Sequence, residues 1–353
     1  MRHFEQLLIS DKAKVSDVVR KLDSVTSFLK IEKPNLFVID DNGKLKGSIS
    51  DGDIRRALMK NLSSTDSVES IMKTNCRRIQ EADLTHDKIL EYKKDFIKIL
   101  PIVNENDKVV GILDVGELNG YLGIEAVIMA GGRGERLRPL TDSIPKPMVP
   151  VGAKPIIEHN IDRLKSFGIS KIHISVKYLA DKIEECFGSG ESKNISISYL
   201  REDEPLGTIG VVGTISDFES DTVLVMNSDL LTNIDFADMY KSYIESKAHL
   251  AIASIPYSVN VPYAVLEIEN ENVNGLAEKP TYTYYSNAGI YLISKKLLSL
   301  IPNGKHYNAT DLIEEAIKLK YKVINFPIRG YWLDIGNHQD YAKAQQDISH
   351  IKF

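Results

Sequence analysis

The chain has 353 residues, enough for two domains with substantial cores, and its 43% hydrophobic and 26% charged residues are ordinary for a globular protein. A net charge of −5 excludes a broad nucleic-acid-binding surface, which needs a basic excess. Two distant cysteines, Cys76 and Cys186, exclude a disulfide framework and fit a reducing cytosol, both being expected as buried small hydrophobes. The opening residues, MRHFEQLLISDKAKV, hold no apolar run, and no stretch of 18 apolar residues follows. Neither a signal peptide nor a membrane partner is expected, and the location is expected to be cytoplasmic.

Residues 1–122 read as two similar units. In the first, Val18, Val19, Leu22, Val25 and Leu29 recur at helical spacing and predict a helix over 16–30. A strand over 35–39, a turn at Asp40-Asp41-Asn42-Gly43 and a return strand over 45–49 follow, then a helix beginning at Ile54 with Ser50 as its N-cap. The second unit repeats the order: an entry segment at 67–72, a helix over 83–94, strands over 99–103 and 109–113, and a turn at 104–107. The offset of about 64 residues is too long for a solenoid and suits a duplicated βαββα unit. The segment Gly47-Ser48-Ile49-Ser50-Asp51-Gly52-Asp53 resembles a cystathionine-β-synthase (CBS) domain. The resemblance implies an α+β CBS pair, 1–62 and 63–122, whose cleft is a candidate site for an adenine nucleotide. Ser50 and Asp53 match the positions that hold ribose. In the second unit Asp114 and Glu117 stand there instead; Glu117 retains the capacity to accept ribose hydroxyls, whereas an ionised Asp114 cannot donate and repels phosphate. The alternative is a structural pair with acidic helix starts that docks or associates. Such pairs commonly associate, which implies a homo-oligomer. The joint LNGYLG at 118–123 carries two glycines, as a domain boundary should.

The third region, 123–353, opens with AVIMAGGRGERLRPLTDSIPKPMVPV over 126–151. An apolar strand ending in glycines exposes backbone N–H groups and cradles phosphate. Arg136, Arg138 and Lys146 follow closely enough to neutralise a triphosphate. The spacing matches neither of the two common nucleotide-loop fingerprints. The whole string resembles the signature of the sugar-1-phosphate nucleotidyltransferases, G-G-x-G-x-R-L-x-P-L-T followed by P-K-P. The bland alternative is a solvated loop after a core strand. By resemblance, Ala130, Gly131, Gly132, Gly134 and Arg136 hold the nucleotide.

Beyond the loop, helix and strand alternate: helix 155–167, strand 171–176, helix 180–187, strand 195–200, a helix start near 210–215 and strand 222–227. Alternation of this kind predicts a Rossmann-like, doubly wound α/β sheet (GT-A-like by resemblance) with ligands at the carboxyl ends of its strands. The segment Arg201 through Thr208 resembles the family's E-x-x-x-L-G-T-A-G, which implies Glu202, Leu206, Gly207 and Thr208 against base and ribose; Ile209 departs from the usual alanine. Asp229 ends an apolar strand, where hard oxygen ligands suit Mg²⁺. A lone acid there also serves as a helix cap, but Asp334 follows a second apolar stretch, and the resemblance gives both to the metal. Tyr263, in Tyr263-Ala264-Val265, resembles the start of a sugar-side strand with alanine replacing glycine. Glu278-Lys279-Pro280 matches E-K-P, and Asn287-Ala288-Gly289 matches N-A-G beneath the sugar; a turn and a buried strand are the plain readings. His306 and His338 lack partners at ligand spacing and are expected to be solvated. A closing helix is expected over 340–348, with no acyltransferase repeat after it.

The resemblance implies NTP + sugar 1-phosphate ⇌ NDP-sugar + pyrophosphate. The attacking phosphate is already ionised, so no general base is needed, and Arg136, Lys146 and Asp229 are the residues expected to carry catalysis by charge neutralisation. The two-domain arrangement resembles bacterial surface-glycan enzymes, implying GTP and glucosamine 1-phosphate, for a legionaminic-acid-type sugar, as the leading pair. Mannose-1-phosphate guanylyltransferase and glucose-1-phosphate thymidylyl- or uridylyltransferase are the rivals. A nucleotide-sensing regulator with an inactive fold is the alternative of another class, against which the intact Arg136, Lys146, Asp229 and Asp334 speak.

Overall fold

The computed structural model describes residues 4–29, 35–59, 61–95 and 97–351, with the side chains of 26–29 left out. Lys30, where the first predicted helix ends, and the Leu29 side chain lie outside the described residues. The chain divides into two compact units, Met1–Tyr121 and Leu122–Phe353.

The first unit contains two copies of one three-stranded sheet. Leu8–Ser10 runs parallel to Asn35–Ile39, which pairs antiparallel with Leu45–Ser50. Ile79–Gln80, Ile99–Val103 and Val109–Asp114 repeat that arrangement. The hairpin turns carry the duplication down to single atoms. Asp40 Oδ1 accepts from the N–H groups of Asn42 and Lys44, and Asn104 Oδ1 accepts from those of Asn106 and Lys108. The two turns also bond to each other, Leu45 N to Asp107 O and Val109 N to Gly43 O. Gly43 (φ 79°) and Asp107 (φ 59°) take the same left-handed place, which glycine fills freely and aspartate tolerates. Residues of both copies share one core, including Leu36, Val38, Ile49, Val103 and Ile112.

The helix expected from Ile54 instead spans Asp51–Met59. Ser50 does not act as an accepting cap: its N–H (2.9 Å) and hydroxyl (2.6 Å) both donate to Asp53 Oδ2. The carboxylate at the third helical position thus satisfies the residue before the helix, which moves the helix start upstream. In the second copy the helix begins at His86 rather than 83, because Thr85 caps it by accepting from Lys88 N.

The second unit is built on a seven-stranded sheet. Its spatial order is Ser196–Arg201, Lys171–Val176, Glu125–Ala130, Thr222–Asn227, Thr281–Ser294, Leu250–Asn260, Val323–Pro327. The first four are parallel, and Thr281–Ser294 runs antiparallel to both neighbours. The sheet is therefore mixed but mostly parallel. Side chains alternate between two cores: Ala126, Ile128 and Leu224 enter one, while Val127, Val223 and Val225 enter the other. The helix start read at 210–215 is only a 3₁₀ turn, Gly210–Thr214. Its glycines serve close packing, since a Cβ on Gly210 would lie 2.5 Å from Lys305 O and one on Gly213 2.8 Å from Ile301 O. Cys186 is exposed and Cys76 half-buried, which corrects the expectation of two buried thiols. On the Ala180–Phe187 helix the inward stripe is Ala180, Ile183 and Phe187, leaving position 186 on the outer side.

The helix Ile156–Ser166 braces the loop after the Thr222–Asn227 strand. Asn160 Nδ2 donates to Ser228 O (3.1 Å), and Arg163 donates to the carbonyls of Asn233 (2.7 Å) and Ile234 (2.6 and 3.2 Å). Arg163→Met should therefore strand those carbonyls and cost about 2 kcal/mol or more, read as an earlier unfolding transition in urea; an unchanged midpoint would remove the brace.

Candidate active site

Asp229 lies two residues beyond the carboxyl end of the Thr222–Asn227 strand. Ser228 N donates to Met129 O (3.2 Å), which sets this turn beside the glycine loop that follows Glu125–Ala130. Leu230–Thr232 pairs antiparallel with Trp332–Asp334, placing Leu230 opposite Asp334, and Ile335 N donates to Asp229 O (3.0 Å). A ladder of three residues thus joins two acids more than 100 positions apart in sequence. Lys146, on the turn Lys146–Met148, reaches the same place. Its ammonium bonds to Asp229 Oδ2 and lies 3.9 Å from Asp334 Oδ1. Asp229 Oδ1 and Asp334 Oδ1 are both buried atoms without a hydrogen-bond partner. Burial, then the neighbouring Asp229 charge, pushes the Asp334 carboxyl above the usual carboxylate range, against the opposing pull of Lys146 and Arg136.

Arg136 belongs to the same corner. Its Nη2 and Asp334 Oδ1 lie 3.6 and 3.7 Å from where a Cβ on Gly336 would sit, with Asp340 Oδ2 also at 3.6 Å. Arg138 does not join them. It pairs with Asp142 at 3.4 Å, and its carbonyl bonds to His338 Nε2 at 2.7 Å. His338 is exposed, as expected, but it opens the His338–Asp347 helix rather than lying in a loop, and ties that helix to the basic loop. His306 is exposed, as expected.

The glycine loop needs Gly134 above all. Gly134 has φ 66°, and a Cβ there would lie 2.7 Å from Lys146 Cβ. Gly132 faces open space, and a Cβ on Gly131 would meet Glu202 Oε1 at 3.0 Å. Glu202 is already committed: Oε1 accepts from Ser175 Oγ and Oε2 from Leu206 N at 3.1 Å. It joins the Lys171–Val176 strand to the Leu206–Thr208 segment, beside Gly131. That segment is stitched in turn to the Tyr307–Ala309 stretch. Tyr307 N donates to Leu206 O (2.9 Å), and Ala309 N to Thr208 Oγ1 (2.8 Å). Gly207, at φ 80°, permits an approach in which a Cβ would stand 2.6 Å from Tyr307 O.

Gly289 (φ 70°) sits where a Cβ would lie 2.6 Å from Asn227 Nδ2, and its N–H donates to Asn287 Oδ1 at 3.0 Å. Trp332 Nε1 donates to Ala288 O (3.0 Å), linking this strand to the one that ends in Asp334. Tyr263, Glu278 and Lys279 are exposed on the ribbon that extends outward from the same strand. Among the described residues no hydrogen bond or ion pair ties those three to the acidic pair. Tyr263 precedes the Val265–Glu269 strand rather than starting it.

The supporting residues Asn160, Arg163, Ser175, Tyr307 and Asn308 were not singled out from sequence. None sits in a motif, and only the fold brings them to the loops they hold.

Residues 125–350 match the family model described as Nucleotidyl transferase, and residues 7–60 match the CBS domain. The chain belongs to the nucleotidyl transferase family. It is 34% identical over 230 residues to the bifunctional protein GlmU of Methanocaldococcus jannaschii, covering 63% of this chain and 54% of that protein. It is 29% identical over 233 residues to the mannose-1-phosphate guanylyltransferase of Mycobacterium tuberculosis, covering 64% of each. It is 31% identical over 229 residues to the D-glycero-alpha-D-manno-heptose 1-phosphate guanylyltransferase of Aneurinibacillus thermoaerophilus, covering 64% of this chain and 99% of that one. The chain thus spans between half and two thirds of the length of the first two. Among solved structures, it is similar to a glucose-1-phosphate thymidylyltransferase, so described, from Bacillus anthracis (27% identity, TM-score 0.53, 65% of this chain and 96% of that one). It is also similar to HddC from Yersinia pseudotuberculosis complexed with GMP-PN (28% identity, TM-score 0.50, 64% and 99%).

The raised pKa of Asp334 has a stability consequence. Between the ordinary and the raised value the folded chain binds more protons than the unfolded one, so stability falls as pH rises through that window. The ionised carboxylate is then a net cost at neutral pH. Asp334→Asn should melt at a higher temperature than wild type at pH 7.5 in chelator-treated buffer. The difference should shrink as the pH falls through the raised value and be gone below about 4, the ordinary carboxylate pKa. An Asn variant no more stable at pH 7.5 would show that the carboxylate is not strained.

Proposed function

We propose that the chain transfers a nucleoside monophosphate from an NTP to a sugar 1-phosphate, forming an NDP-sugar and releasing pyrophosphate. The observation that carries this reading is the convergence of Lys146, Asp229 and Asp334 beside the glycine loop, with one carboxylate oxygen of each acid buried and unpartnered.

The chemistry asks little of acids and bases. An ionised sugar phosphate attacks the α-phosphorus in line, and the bond to the pyrophosphate oxygen breaks. Holding the reactants and offsetting charge is the protein's task. The amides of Gly131, Gly132 and Gly134, with Ala130 behind them, receive the triphosphate, and Arg136 stands beside it. Lys146 stabilises charge at the α-phosphate. Glu202, beside Gly131, positions Leu206, Gly207 and Thr208, which form the nucleoside side. Gly289, with Asn287, forms the floor under the sugar, and Tyr263, Glu278 and Lys279 its outer side.

Asp229 and Asp334 fit a divalent cation, since both offer buried, unpartnered carboxylate oxygens. Hard oxygen donors of this number suit Mg²⁺, which when bound neutralises phosphate charge as a Lewis acid. GTP is the favoured donor, supported by the guanylyltransferases among the relatives. Glucosamine 1-phosphate is the favoured acceptor, and rests on the resemblance of the CBS–transferase arrangement. Mannose, heptose and glucose 1-phosphates are the competitors.

Pyrophosphate release across a matrix of NTPs and sugar 1-phosphates tests this. One pair should dominate, and Asp229→Ala and Lys146→Ala should each lower its turnover roughly 10²-fold or more. A chain inert with every pair would instead favour a nucleotide-sensing role.

A second reading concerns the first unit. A cavity of about 1150 Å³ is lined by Arg55, Lys73, Arg77 and Lys98, by the acids Asp23 and Asp51, and by apolar Phe37 and Ile54. Cations beside an apolar wall suit an anionic nucleotide, with adenine nucleotides as the candidates. Ser50 and Asp53 are less free than a ribose clamp requires: Asp53 also bonds to Arg56 (2.5 Å) and pairs with Lys73 (3.5 Å). Glu117 follows Asp114, whose Oδ1 accepts its N–H at 3.3 Å. ATP at millimolar concentration should raise the melting temperature by about 3 °C or more, and Arg77→Glu should abolish the shift. No shift with ATP or AMP leaves the unit a structural role.

A further inference from the structure

The strands Leu250–Asn260 and Thr281–Ser294 do not stop where the sheet stops. Their partners reach only Ser254 on one side and Ile290 on the other. The pair continues alone to Asn260 opposite Thr281, a span on the order of 20 Å at about 3.3 Å per residue. Beyond it the chain forms a further hairpin, Val265–Glu269 with Asn272–Ala277.

Both ribbons are two-faced. In the first, Tyr257 lies opposite Tyr284 and Val259 opposite Tyr282, all on one face. The other face carries Ser258 opposite Thr283 and Asn260 opposite Thr281, with Pro256 opposite an exposed Tyr285 nearer the sheet. In the hairpin, Leu266 lies opposite Leu276 and Ile268 opposite Val273, while Glu267 and Glu269 alternate to the far side. Every one of these eight apolar side chains is exposed, from 39% for Val259 to 65% for Ile268. A face this apolar is what burial requires, and a two-stranded ribbon standing alone in water is marginal.

We propose that these faces dock on the same faces of a second copy of the chain, forming a two-fold dimer. The apolar faces hold no charge. A partner of opposite charge would find nothing to read there, whereas an identical face meets no like-charge repulsion. Covering both faces withdraws on the order of 700 Å² per copy, close to the roughly 800 Å² per partner of a standard interface. Apolar faces of this combined size exceed what monomers ordinarily expose. The same surface brought against itself is the isologous arrangement of most homodimers.

Sedimentation velocity on the full chain tests the proposal. Wild type should sediment as a dimer at micromolar concentration. Tyr257→Ser/Tyr284→Ser should raise the dissociation constant about 30-fold or more, and Tyr257→Glu/Tyr284→Glu should leave a monomer. Ser258→Glu, on the polar face of the same ribbon, should leave the dimer intact. Circular dichroism and the melting transition of each variant establish that it is folded, and the Ser pair serves if the Glu pair is not. A wild-type monomer overturns the proposal, as does a dimer that survives the Tyr substitutions, which would place the interface elsewhere. Equal dissociation by Ser258→Glu would also overturn it.

Discussion

Two carboxylates and one ammonium held at the carboxyl edge of the sheet set the terms for the rest of the second unit. Like charges side by side in a half-buried place repel, and both lose hydration. Lys146 offsets part of that cost, but it can do so only because three separate segments are fixed to within hydrogen-bonding distance. The short ladder between Leu230–Thr232 and Trp332–Asp334 aligns the acids, and Asn160 and Arg163 hold the loop that precedes and follows that ladder. Gly134, by lacking a side chain, lets the glycine loop close over Lys146. A protein selected for stability alone has no use for such a cluster, because an apolar replacement of similar volume avoids the desolvation.

Much of this was legible in sequence, and the reasons differ by element. The central strand Thr222–Asn227 falls where its apolar run places it, since a strand buried on both faces needs an unbroken run, and Lys171–Val176 falls where Ile172, Ile174 and Val176 alternate. Asp229, Lys146 and Asp334 were named from motif likeness, and the structure brings those three together. Arg138 was counted with them and is not: Asp142, four residues on, takes its charge, a local competition that spacing alone does not weigh. The reversed strand Thr281–Ser294 was also missed as an architectural feature. An apolar run looks the same in either direction, and only the partners fix its sense.

The first unit shows the opposite balance. Its duplication is plain in the two hairpins, because Asp40 and Asn104 each form the same side-chain-to-backbone turn. The strands Leu8–Ser10 and Ile79–Gln80 are too short to display alternation and are visible only once their partners are in place. The cap at Ser50 was read with the correct residues and the wrong direction of donation. A hydroxyl followed three positions later by a carboxylate can donate as readily as it accepts, and sequence does not choose between the two.

The reversal of Thr281–Ser294 has a mechanical side. Because it runs against its parallel neighbours, its early residues emerge from the sheet on the margin where Asp229 stands, and its partner Leu250–Asn260 leaves the sheet there as well. One unbroken backbone thus carries both Gly289, inside the sheet, and Tyr284, on the ribbon beyond it. The register of this pair shifts once, between Ile252 and Ser254, where a bulge coils the strand. The offset sets Ala253 on one strand against Ala288, Gly289 and Ile290 on the other, so the bend at the root of the outer ribbon falls at Gly289 itself.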